Sequence, residues 1–411
     1  MKKLSIALLA GLGSTASANG FLLNEFDARA VGRGNASSAT DIEPSSIYYN
    51  VGGLAAATDT HVMIGGSLIA PIASYTDTSG KKTDSNTSPQ VVPSVFVSSR
   101  VHDMIAVGVG FYTPFGLAIS WPDGAPTNNV VHTEALHTFF ITPSVGVNLD
   151  KQVPGLTIGA GLDLVPATVD LTQDVYFGTD TGTAHLGGTA FGVGGRIGVM
   201  FKPKQLSQLS VGAMWRSDVK ENFSGTGDFD APAPYRGQLP PDGDISTSIT
   251  LPQSVTFGAA YRPQPQLEIE ANVMWTNWSK FKSLDIVVPS ASGGTMTISQ
   301  SENYEDKTTF RAGIEYLLPE QGLGLRAGYI YDPTPVTTKY LTAQLPDIDR
   351  HDICIGASKA FGNYDAHLGL LWVLPGSRQT APDMYQPVYK GTYDVTAFVT
   401  SISLAGKFGG K

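Results

Sequence analysis

Beyond its first eighteen residues the chain has no run of eighteen or more apolar residues, so helices that span a bilayer are excluded. Charge is scarce: Asp, Glu, Lys and Arg make up 15% of the sequence, against about 25% in soluble domains. A single cysteine, Cys354, excludes an internal disulfide framework and any multi-cysteine metal site. The net charge of −9 provides no basic surface for nucleic acid or anionic headgroups. No G-x-S-x-G, H-E-x-x-H or P-loop occurs, so no catalytic residue, metal or cofactor is expected. His132 and His137, with Glu134 between them, lack metal spacing and read as a solvated loop. Gly178 to Gly182 with Asp180 lacks the carboxylate density of a calcium loop. Gly192, Gly194, Gly195 and Gly198 are followed by no helix, and read as glycines allowing curvature or close approach in a sheet.

What is present points to the cell envelope. Residues 1–18 carry Lys2 and Lys3, an apolar core from Leu4 to Leu12, and Ala16-Ser17-Ala18, the pattern of a cleaved secretory leader. Residues 19–57 are rich in Gly, Ala, Ser and Asn with scattered apolar anchors, too few to fold without a container. Residues 58–411 read as that container. Period-2 alternation marks about fourteen strands, starting near Thr60, Val91, Met104, Ala135, Leu156, Thr189, Ser207, Ile249, Leu267, Lys307, Leu323, Arg350, Asp365 and Thr392. Short connections alternate with long ones around 76–90, 113–134, 171–188, 225–248, 289–306, 333–349 and 376–391. Low charge, abundant glycine and this loop rhythm describe an all-β, antiparallel outer-membrane barrel with both termini periplasmic.

Within strands, Leu267, Ile269, Ala271, Val273 and Trp275 share one face, opposite Glu268, Glu270 and Asn272. In the thirteenth segment both faces are substantially apolar: Leu368, Leu370, Trp372 and Leu374 oppose His367, Gly369, Leu371 and Val373. Either an apolar conduit or contact with the N-terminal segment accounts for this. The connection 113–134 carries Phe115, Leu117, Ile119 and Trp121, a clustered apolar patch of the kind that captures a hydrophobic ligand.

Gly20-Phe21, Leu23-Asn24-Glu25, Gly32-Arg33, Tyr48-Tyr49-Asn50 and Gly53-Leu54 resemble the N-terminal hatch of the long-chain fatty acid outer-membrane transport family (FadL type). The resemblance continues through Tyr112 to Leu117 with Trp121-Pro122, Leu251-Pro252-Gln253-Ser254, Trp275 to Phe281, and Leu345-Pro346-Asp347. It implies a hatch inside the barrel, with Phe21, Asn24, Arg33 and Asn50 among its fixed positions. It also implies passive uptake of long-chain fatty acids or other hydrophobic compounds across the outer membrane. Lateral exit into membrane lipid would follow an inward kink of the third strand, at Gly108 and Gly110. The family's Asn-Pro-Ala is Asn50-Val51-Gly52 here, without the fixed φ of proline. Basic residues that meet a fatty-acid carboxylate are absent from 163–171, which leaves Lys307, Arg311 and the hatch residues Arg29 and Arg33. The C-terminal aromatic read by the barrel-assembly machinery is followed here by Gly409-Gly410-Lys411. Two function classes remain: a transporter of hydrophobic small molecules, and a non-transport barrel acting as an envelope enzyme or adhesin.

Overall fold

The computed structural model of the chain describes residues 20–40, 44–384 and 389–409. The leader read over 1–18 lies outside the described residues. Fourteen antiparallel strands close into a barrel. They are β1 Thr60–Asp77, β2 Gln90–His102, β3 Ile105–Tyr112, β4 Phe140–Asn148, β5 Leu156–Phe177, β6 Asp180–Phe201 and β7 Leu209–Arg216, followed by β8 Ser254–Gln264, β9 Leu267–Thr276, β10 Lys307–Leu318, β11 Leu323–Asp332, β12 Arg350–Phe361, β13 Tyr364–Gln379 and β14 Gly391–Phe408. The seam is a continuous ladder of β14 on β1, from Thr60↔Phe408 to Asp77↔Gly391.

Alternation decides which residues meet lipid. On β9, Ile269 and Val273 are exposed outward while Glu268, Glu270 and Asn272 are buried inside. Closure gives every strand a neighbour on each side, which is what lets a sheet cross a bilayer.

Three of the expected long loops are strands instead. Residues 171–188 belong to a β5–β6 hairpin paired from Leu156↔Phe201 to Phe177↔Asp180. Half of residues 225–248 lies in the paired strands Val219–Asp230 and Gly243–Leu251. Much of 289–306 lies in the pair Ser283–Pro289 and Thr295–Ser301. These hairpins rise past the membrane, where the outer face carries exposed Asp170, His185 and Asp228. Water on that face removes the apolar half of the period-2 signal, but the ladder still satisfies the backbone.

The hatch fills the lumen. It comprises α1 (Ala28–Gly32), α2 (Ser46–Tyr49) and a 3-10 turn, Val51–Ala56. Its seat on the wall needs glycine. A Cβ at Gly313 would lie 2.2 Å from the Arg33 carbonyl oxygen, and one at Gly328 2.2 Å from the Gly34 nitrogen. β13 meets the hatch as well, since a Cβ at Gly369 would lie 2.5 Å from the Ala28 carbonyl oxygen. The contact alternative therefore accounts for the inner face of β13 at that residue. Gly328→Val should leave the barrel closed but displace the hatch, because backbone cannot yield to an added side chain. Protease cleavage within the hatch of a heat-modifiable, assembled barrel measures this; unchanged protection would show that the seat tolerates a side chain.

Candidate functional site

β3 keeps full register through both glycines: Gly108 pairs with Ser98 and Ser144, Gly110 with Phe96 and Thr142. The opening expected at Gly108 and Gly110 is therefore not there. A Cβ at Gly108 would come 2.8 Å from Ile47 Cδ1 of the hatch, and one at Gly110 2.9 Å from the rings of Phe96 and Tyr112. Both glycines make room for neighbours inside the barrel.

The break comes after Tyr112. At Thr113-Pro114-Phe115 the chain leaves the wall and pairs with the hatch. The Leu23 N–H donates to the Pro114 carbonyl at 2.8 Å, and the Gly116 N–H donates to the Phe21 carbonyl at 2.9 Å. Leu22 forms a β-bridge with Phe115. The β2–β3 ladder consequently stops at Val95↔Phe111, whereas the β1–β2 ladder continues to Ile69↔Gln90. Residues 90–94 are laddered on one side only, with Pro93 among them, as suits an edge. Behind this breach the Ser94 hydroxyl donates to the Phe26 carbonyl of the hatch at 2.6 Å.

The apolar patch expected on an outer loop lies inside. Phe115, Leu117, Ile119 and Trp121 are all buried, and the Trp121 indole donates to the Ala343 carbonyl at 3.1 Å. The loop carrying them packs beneath the segment 333–349. Leu117 lines an outer cavity with Phe21, Leu136, Phe281, Tyr304 and Leu345. A second cavity is walled by Val169, Leu171, Leu186, Phe223, Ile245 and Ile286. The two share Glu134, Ile249 and Leu284.

A third cavity lies between hatch and wall, and Asn24, Tyr48, Asn272, Arg216 and Arg311 are among its lining. The candidate cations divide sharply here. Lys307 is paired with Glu305 at 2.8 Å and lies away from this cavity. Arg29 is paired with Glu315 at 2.7 Å. Arg33, fully buried, reaches Glu268 at 3.0 Å, Glu270 at 3.3 Å and Glu315 at 3.7 Å. These two hatch arginines fasten the hatch. Arg311 contacts the Met274 sulfur at 3.8 Å, and Arg216 lies over the Phe115 ring at 4.9 Å. Among the described residues neither has an ion-pair partner, and the Nε of each is buried without a hydrogen bond. Arg216 was not expected from the sequence. The signal was its parity: on β7 Ser210, Met214 and Arg216 are buried while Val211 and Trp215 are exposed.

The other hatch positions are structural. Phe21 meets Trp278 edge-on at 4.9 Å, and Asn24 accepts from the Tyr48 hydroxyl at 2.9 Å. Asn50 donates to the carbonyls of Ser38 (2.6 Å) and Val199 (3.0 Å) and accepts from the Gly52 N–H at 3.0 Å. It thereby caps the 3-10 turn without a following proline. His132 sits between Asp123 (3.1 Å) and Asp174 (3.5 Å) in the outer loops.

The family described as "Outer membrane protein transport protein (OMPP1/FadL/TodX)" matches residues 9–408. Long-chain fatty acid transport proteins of Salmonella typhi and Escherichia coli K12 are 26% and 24% identical, over 89% of each chain. Among solved structures, a Pseudomonas aeruginosa FadL homologue superposes with TM-score 0.81 at 17% identity, covering 95% of this chain and 100% of that one. The P. putida toluene transporter TodX does so with TM-score 0.74 at 20% identity, covering 95% of this chain and 100% of that one. These two structures are similar in fold.

Proposed function

This chain belongs to the OMPP1/FadL/TodX family of outer membrane transport proteins, and from that premise we propose that it takes up long-chain fatty acids or similar hydrophobic molecules passively. The family transports hydrophobic small molecules and its members are channels rather than enzymes. The observation that carries the proposal is the pair Arg216 and Arg311, buried without a counter-ion in a cavity against the hatch. A buried cation without a partner costs several kcal/mol, and a carboxylate arriving there would offset that cost. The apolar outer cavities would hold the tail, since burying apolar surface contributes ~25 cal/mol per Å². With the hatch held by Arg33, the way out is sideways, through the breach between residues 90–94 and 113–115 into outer-membrane lipid.

The test is complementation of a bacterium deleted for its own long-chain fatty acid transport protein. The parent chain should restore uptake of a long-chain acid. Thr113→Trp, which fills the breach, should reduce it while the barrel still assembles. No restoration by an assembled parent barrel would overturn the transport reading. Unchanged uptake in Thr113→Trp would overturn the lateral route.

A further inference from the structure

The two outer cavities meet at Glu134, and what that side chain lacks is informative. Glu134 lies on the strand Thr133–Thr138, which pairs with β5 at Glu134↔Leu171. That level is above the membrane, since Asp170 and His185 are exposed on the outside there. Inside, Glu134 faces leucine, isoleucine, valine and phenylalanine from both cavities. A Gln344 side chain hydrogen-bonds its carboxyl, while Oε2 is shielded from solvent and has no partner. Gln344 in turn accepts from Gln300 Nε2 at 2.8 Å, and the same Nε2 donates to Glu302 at 2.8 Å. The amide donors of Gln300 and the acceptor of Gln344 are thus engaged, and among the described residues no Lys or Arg lines either cavity. Burial pushes the Glu134 carboxyl up to about 7 and that of Glu302 up to about 8, where the nearby Glu134 charge adds to the effect.

An apolar chamber with one free acceptor, a second carboxyl beside it and no cation has a definite preference. An ionised carboxylate would meet like charge with no Lys or Arg to offset it. An alkane would gain from burial but leave Oε2 unsatisfied. A neutral molecule with a hydroxyl gains from both. Resting on the transport reading above, we propose that the outer chamber selects hydrophobic molecules bearing a neutral hydrogen-bond donor, with Glu134 as the acceptor. These are long-chain alcohols, phenols and fatty acids in their protonated form. On this reading a fatty acid crosses the chamber uncharged and is ionised only on reaching Arg216 and Arg311.

Binding of dodecan-1-ol, dodecane and dodecanoate to the purified full-length barrel in nanodiscs, by native mass spectrometry, tests this. An Arg216→Met/Arg311→Met background confines the readout to the outer chamber. The alcohol should bind about 2- to 10-fold tighter than the alkane, the range of one net hydrogen bond. At pH 8.5 dodecanoate should bind more weakly than the alcohol. Glu134→Leu should bring alcohol and alkane to parity. Glu134→Gln, which keeps an acceptor, should retain the alcohol preference and tighten dodecanoate. Parity in the parent chamber, or a preference that survives Glu134→Leu, would overturn the proposal. If Glu134→Leu fails to assemble, the dodecanoate response of Glu134→Gln decides it. Because binding is read without uptake, failure here is distinguishable from failure of the transport reading.

Discussion

Arg33→Ala is expected to free the hatch from an assembled barrel and to make the outer membrane leaky. Arg33 is fully buried and bonded to Glu268 and Glu270 on β9, with Thr40 donating to Glu268 at 2.6 Å. The Ser38 and Ala39 N–H groups also donate to Glu270, at 2.7 and 2.8 Å. Removing the guanidinium leaves two carboxylates buried in the lumen, of which Glu268 keeps only the half-exposed Arg262 as a cation. Breaking a buried ion pair on one side costs about 3–5 kcal/mol, comparable with what a small segment gains by docking. Arg33→Lys keeps the charge but loses the planar fork that spans both glutamates, so its effect should be smaller. Hydrogen exchange over residues 20–57 should rise sharply in Arg33→Ala, and sensitivity to a large antibiotic should rise with it. The exposed pair Lys407–Asp59 provides the control, because surface pairs contribute ~1 kcal/mol or less. Exchange unchanged from the parent would show that the glycine seat alone holds the hatch.

The second large effect concerns Arg216 and Arg311. In Arg216→Ala/Arg311→Ala the ratio of acid to alcohol uptake should fall about tenfold to a hundredfold. That is the range of a charge-assisted hydrogen bond of ~1.5–3 kcal/mol. Lys307→Ala should leave the ratio unchanged, its ammonium being engaged by Glu305. A stability measurement separates ligand binding from scaffolding. Because neither arginine has a buried ionic partner, Arg216→Met/Arg311→Met should raise the thermal midpoint of the empty barrel. A lowered midpoint would mean that both arginines serve the fold.

The barrel was legible because lipid outside and hatch inside impose opposite demands on alternate residues, as Ile269 and Glu270 show. That contrast ends where water covers the outer face, and there Asp170 and His185 made a continuing strand look like a loop. Phe115 and Trp121 were recognisable as a cluster, but a loop has no period to say which way it faces. Their burial follows from the kink after Tyr112, a tertiary event set by the hatch. Gly108 and Gly110 were ambiguous in principle, since a missing side chain marks a bend and a close neighbour equally well. Lys307 has its partner Glu305 two residues away, whereas the Arg311 contact with Met274, 37 residues away, is invisible to local pattern. Glu134 was set aside with the histidines flanking it, because charge in a loop usually means solvent.

The ion pairs of Arg33 also constrain how the molecule comes into being. Its partners Glu268 and Glu270 lie 235 and 237 residues further along the chain, and the Arg29 partner Glu315 lies 286 residues away. The hatch segment therefore waits for β9 and β10 before its charges are neutralised. Contacts of such separation form late, once the intervening chain has been ordered. The hatch is thus made before its partners on the wall, and its ion pairs lock only once β9 and β10 are present.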